Sequence, residues 1–154
     1  MAERNGYSRL QIALHWSIVA LVLVEYASGE LVEEASRTSA LALIHVWSGL
    51  AIIVLMILRL GLRLLRGAPP PPRSEHELLR RFAVWTHWAF YVLLFAIPGG
   101  GALDWYFGLG FGQVIHNVGE PVFFVLVWIH IGAAAVHHFI FRTNVVRRMV
   151  VPER

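Results

Sequence analysis

Eight histidines are spread through the 154 residues of this chain, and six of them stand inside apolar runs: His15, His45, His87, His130, His137 and His138. Three of the six crowd one stretch, IHIGAAAVHH, from Ile129 to His138. An imidazole can ligate a metal, carry a proton near neutral pH or form a hydrogen bond, and each tautomer leaves one nitrogen free as an acceptor. In hydrocarbon an ionisable group is expensive, so it is read by default as functional, with a partner. One lone histidine would be read as a hydrogen-bonding group between helices; several at matched depth on different runs call for a common ligand.

The spacing adds a facing argument. His116 and His130 are fourteen residues apart, about 21 Å and nearly four turns of helix. His130 and His137 are seven apart, about 10.5 Å and nearly two turns. All three share one face of a continuous helix, and His138 points away from it.

The elements that carry these residues are four apolar spans, Leu10–Ala27, Leu41–Leu65, Phe82–Leu103 and Val114–Phe141. Each approaches or exceeds the ~20 residues that a membrane helix needs. The composition agrees: 57% hydrophobic and 15% charged, with a mean hydropathy of +0.61, too apolar for a soluble domain of this size. The expected fold is all-α, a single integral-membrane four-helix bundle over residues 1–154. The link GAPPPPRSEHELLRR between spans two and three reads as a stiff, exposed connection, because a proline run cannot be helical. The outer links, about 29–39 and 104–113, have no room for a soluble domain. There is no cysteine, which excludes disulfides, thiolate ligands and iron–sulfur clusters. The N-terminal segment lacks a small-residue cleavage site after its apolar run, so it is expected to stay on the protein.

All 13 basic residues are arginine, and twelve of them lie before span one, around the proline link or after span four. Only Arg37 falls on the other side. By the positive-inside rule both termini and the proline link are expected to be cytoplasmic, in a multi-pass membrane protein. The opposite face carries Glu30, Glu33, Glu34, Asp104 and Glu120. The basic balance therefore describes a face turned to anionic lipid headgroups and does not argue for nucleic acid.

Depth now sorts the histidines into two layers. His45, early in span two, and His116, at the start of span four, lie toward the outside. His15 and His130 lie deeper. Pairs of neutral imidazoles from opposite helices suit b-type haem, with iron ligated on both faces. Zinc or copper would want three or four clustered ligands, usually with carboxylates or thiols. Fourteen residues separate two macrocycles comfortably, whereas seven would crowd them. The expected ligands are His45 with His116 for an outer haem and His15 with His130 for an inner one. Gly49, one turn after His45, leaves room for a porphyrin edge, or else packs two helices together. Arg59, fourteen residues after His45, is placed to bind haem propionates, or else snorkels to the cytoplasmic surface. His76, in the proline link, is expected to be solvated.

YSRLQIALHW opening span one, IHVWSGL opening span two, and IHIGAAAVHHF followed by FRTNVVRRM resemble the prokaryotic cytochrome b561 family, over nearly the whole chain. The resemblance implies a four-helix bundle with two b haems, passing electrons between a quinone and a donor or acceptor at the periplasmic face. It implies the same four ligands, His15, His45, His116 and His130. It makes His137 a quinone contact near the cytoplasmic side, with His87 and Trp88 at a similar level. Some members of the family oxidise superoxide and reduce quinone. The acidic outer face argues against specialised capture of that anion and suits a basic periplasmic redox protein or a partner subunit.

Pro121 bears on the ligand set. It removes a helical hydrogen bond and disfavours helix at Glu120. If the helix starts only there, His116 sits on the approach loop, and His130 and His137 compete for the inner iron, with depth favouring His137. The rival reading is a haem-free transporter with a histidine relay, against which stands the absence of a carboxylate near the bilayer centre, Glu25 lying at the outer end of span one. Gly132, Ala133 and Ala134 permit close contact with a second copy of the chain.

Overall fold

The computed structural model describes residues 6–32, 36–70 and 77–153. Arg4, Glu33, Glu34, Arg73, His76 and Arg154, which entered the charge and histidine readings, lie outside the described residues.

Five helices follow one another: α1 (Arg9–Val32), α2 (Ala40–Arg66), α3 (Glu77–Phe107), α4 (Gly110–Phe139) and the short α5 (Val145–Arg148). The first four are long and apolar enough to cross a membrane. At 24 to 31 residues and 1.5 Å per residue they reach about 36–46 Å, beyond the ~30 Å hydrocarbon core of a bilayer. In lipid every backbone amide must be paired within the segment, and a helix does this by itself. Ser39 caps α2 by accepting from the Ala42 amide, satisfying one orphan donor of its first turn. Gly67, at φ 75°, ends the same helix and donates its amide to the Arg63 carbonyl.

Neighbouring helices run up and down. α2 packs on α1 and α3, and α3 packs on α4. A core of Ile18, Ile52, Met56 and Tyr91 joins the first three helices at mid-depth. Among the described residues, no Cα of α1 or α2 comes within 8 Å of a Cα of α4. The bundle is therefore tight on one side and parted on the other, bridged by the Tyr26 and Phe124 rings at 5.0 Å.

The termini meet on one end of the bundle. The Glu153 amide donates to the Tyr7 carbonyl at 3.1 Å, the Trp16 indole to the Met149 carbonyl at 2.8 Å, and Arg148 to the Pro70 carbonyl at 2.9 Å. At the opposite end Arg37 stacks on Trp105, bonds its carbonyl and pairs with Asp104 at 3.9 Å.

Two features differ from the sequence expectation. The far link is only Gly108–Leu109, because α3 runs on to Phe107 and α4 starts at Gly110. Gly100 and Gly112 make this hairpin possible: a Cβ on either would stand 2.5–2.6 Å from the other's carbonyl oxygen. In addition, Pro121 lies inside α4 and does not begin it. His116 is on that helix two turns into it, so the loop placement does not arise.

Candidate functional site

The outer layer is built from all four helices. His45 of α2 and His116 of α4 bring their ring centroids to 6.0 Å, at 75° to one another. Around them is a partly open space lined by residues of α1 (Glu25, Tyr26), α3 (Leu94, Pro98) and α4 (Glu120, Phe124), among others.

The hydrogen bonds define the tautomers. His45 Nδ1 lies 3.0 Å from Ser28 Oγ and 3.1 Å from a Glu25 carboxylate oxygen. Ser28 gives its hydroxyl proton to the Val24 carbonyl at 2.8 Å, so its oxygen faces the imidazole as an acceptor. Both neighbours then accept, which puts the proton on Nδ1 and leaves Nε2 with its lone pair. His116 arrives at the same state by another route. Its Nδ1 lies 3.0 Å from the Ile97 carbonyl oxygen, an obligate acceptor. Gly101 allows that approach, since a Cβ there would lie 3.1 Å from the same nitrogen.

Two imidazoles with free Nε2 atoms form the donor set that takes a haem iron from both faces. His45 and His116, with ring centroids 6.0 Å apart, would hold the group between them, and it would supply a one-electron couple there. The backbones of α2 and α4 stay apart, so that side chains alone meet across this space. The residues present fit the group.

The inner layer holds three imidazoles. His130 of α4 lies with its ring 5.6 Å from His87 of α3 and 5.4 Å from Phe90. His15 of α1 joins them at longer range, interacting electrostatically with His130, His87 and Arg59. The expectation paired His15 with His130; the structure adds His87, whose Nδ1 is bound to the Ala83 carbonyl at 2.7 Å. His87 also lines a second, smaller space with Tyr7, Gln11, Arg59, Arg63 and Tyr91. Arg59 donates to the Gln11 carbonyl at 3.2 Å and bonds Tyr91. Burial pushes the Tyr7 phenol up, outweighing Arg63 and Arg59, so it remains a protonated donor. Two guanidiniums and two phenols make this space a receptor for carboxylate or carbonyl oxygens.

His137 stands apart, with Nδ1 3.2 Å from Thr143 Oγ1 and its ring 5.3 Å from Phe141. His138 packs on Phe139 at 4.7 Å. Gly49 is buried beside Pro98 and Glu25, and does not line the outer space. Sequence reading missed Glu25, Ser28, Ile97 and Gly101 as parts of the site. The one available signal was the three-residue spacing of Glu25 and Ser28, which puts both on one face of α1.

Residues 6–152 match the family described as prokaryotic cytochrome b561. The chain belongs to that family. It is 29% identical to cytochrome b562 of Cereibacter sphaeroides, over 99% of each chain. It is 28% identical to the probable superoxide oxidase CybB of Yersinia pestis, covering 96% of this chain and 97% of that one. Identity to cytochrome b561 homolog 1 of Escherichia coli is 29%, over 95% and 97%. Membership makes this chain a haem-binding, multi-pass membrane cytochrome b of bacterial electron transport, in contact with the lipid bilayer.

Proposed function

We propose that the chain is a diheme electron carrier of the inner membrane, exchanging electrons between the quinone pool and a donor or acceptor at the periplasmic face. Haem supplies a one-electron couple at each layer. The carrying observation is that His45 and His116 both commit Nδ1 to acceptors and meet at 6.0 Å with Nε2 free. In this reading His45 and His116 hold the outer haem, and His15 and His130 hold the inner one.

Arg59 binds propionate carboxylates at the inner layer, its guanidinium held by Gln11 and Tyr91. His87, on the rim of the same space, has its Nδ1 proton on the Ala83 carbonyl and offers Nε2 as an acceptor to a quinol hydroxyl. His137 is the second quinone contact, poised at the end of α4 by Thr143. A neutral imidazole at either place accepts and returns protons as quinone is reduced and reoxidised. Gly49 keeps α2 close to Pro98, and so keeps His45 one turn away in place.

The test is the oxidised and reduced spectrum of the purified protein with its haem-to-protein ratio. Two low-spin b haems per chain are expected, with His45→Ala and His116→Ala each losing the same one. His15→Ala and His130→Ala are expected to lose the other, while His87→Ala keeps both and slows quinone reduction. A colourless protein expressed with ample haem would end this reading in favour of the histidine-relay transporter.

The likeness to a probable superoxide oxidase favours a second reading, superoxide:quinone oxidoreductase. The outer end speaks against rapid capture. Arg37 is engaged by Asp104 and Trp105, and Glu25 and Glu120 line the space that the anion would approach. Like charge slows an incoming anion. Reduction of the haems by superoxide in stopped flow is expected to be slow at low salt; a near diffusion-limited rate that falls with ionic strength would establish the oxidase.

A further inference from the structure

Glu25 and Ser28 reach the outer layer from α1, and neither is a ligand in the four-histidine set. Yet both touch the same atom, Nδ1 of His45, at 3.1 and 3.0 Å. The other Glu25 oxygen lies against the Ser48 hydroxyl, whose single proton is shared between that oxygen and the Ile44 carbonyl of its own helix, 2.7 Å away. The carboxylate is thus held from two sides. His116, across the space, has only a neutral backbone carbonyl on its Nδ1.

We infer that Glu25 and Ser28 are positioning residues that hold His45 in one tautomer and one ring orientation, and that the Glu25 carboxylate lowers the reduction potential of the outer haem relative to what His45 and His116 alone would set. The inference rests on the reading of those two histidines as ligands. Its physical basis is the effect of an outer partner on a ligating imidazole. A carboxylate accepting from the far nitrogen fixes the ring and raises the basicity of the near one. A more basic ligand favours ferric over ferrous iron, and hydrogen bonding around the ligands is one of the protein's levers on haem potential. Glu25 contacts His45 and Ser48, both on the outer part of α2, so the inner haem is not addressed. The asymmetry thus acts on one of the two potentials and leaves the other where its own ligands set it.

The test is potentiometric titration of the purified wild type, Glu25→Gln, Glu25→Leu and the Glu25→Leu/Ser28→Ala double variant, followed optically and by electron paramagnetic resonance. The component missing from His116→Ala identifies the outer haem. Glu25→Gln keeps an acceptor on Nδ1 and removes the charge. Its outer midpoint is expected to rise, each tenfold shift toward the reduced form corresponding to about 59 mV for one electron. The double variant removes both acceptors. A larger rise is expected there, with a broadened or split low-spin signal from a ring no longer held in one orientation, while the inner midpoint stays. Loss of the outer haem in the double variant, with retention in Glu25→Gln, carries the same meaning. A double variant with two haems and wild-type midpoints and signals overturns the inference and leaves the ligand assignment standing. A His45→Ala protein that retains both haems removes the assignment itself.

Discussion

At the scale of single residues, the outer site depends on what occupies each Nδ1, and here sequence and structure part company. The spacing of His116 and His130 was legible because the helical repeat alone puts them on one face. The partner of His116 was not, because it is a main-chain carbonyl, Ile97, on another helix. No side-chain pattern advertises a carbonyl. Glu25 was read as an acid at the outer end of α1; its approach to His45 requires the packing of α1 on α2. Gly101 was unmarked for the same reason. A methyl group there stands 3.1 Å from His116 Nδ1, so Gly101→Ala is expected to push the ring off the Ile97 carbonyl. Overpacking of this kind costs about 1–3 kcal/mol. Haem content should fall toward one per chain, with the surviving spectrum that of the inner site. Unchanged content would mean that the ring can shift without leaving the iron.

At the scale of elements, the four helices were legible because hydrocarbon thickness dictates their length, and each observed helix contains nearly all of its expected span. The difference fell on 104–113, which reads as a short outer link and which holds glycines at 108, 110 and 112. Those glycines serve a hairpin of two long helices instead. Gly100 and Gly112 let the backbones of α3 and α4 approach closely, which is how helices associate in lipid when hydrophobic burial offers no driving force. Gly112→Ala must part the two helices and is expected to lower the thermal midpoint in detergent by the equivalent of about 1–3 kcal/mol. Gly132→Ala, where an added methyl meets nothing within 4 Å, is expected to leave it unchanged. Pro121 offers a complementary check. It sits inside α4, where its missing amide leaves the Asn117 carbonyl without its helical donor. If α4 runs through it, Pro121→Ala restores that bond and both haems remain. Loss of the outer haem would show that the proline's bend sets the angle at which His116 meets His45.

At the scale of the whole molecule, the two ends differ in charge, and the difference bears on which end faces which compartment. Arg59, Arg63, Arg66, Arg80, Arg81, Arg142, Arg147 and Arg148 gather at the end where the termini meet. Arg37, tied to Asp104, is the arginine of the other end among the described residues. Arginines near the cytoplasmic surface gain about 1 kcal/mol each from anionic lipid, and translocating them is disfavoured. The excess argues for the topology with both termini inside. On the proposed topology, with both termini inside, the His45–His116 layer would lie toward the periplasm and the Arg59–His87 space toward the cytoplasm. The absence of cysteine from the chain makes this directly measurable, since any introduced thiol is unique. Thr38, exposed before α2, and Val150, 60% exposed after α5, mark the two ends. In cells with a permeabilised outer envelope, a membrane-impermeant maleimide is expected to label Thr38→Cys. Val150→Cys should react only once the inner membrane is broken. The reverse pattern would turn the molecule over, and the Glu25-supported haem would then face the cytoplasm, where no periplasmic donor could reach it.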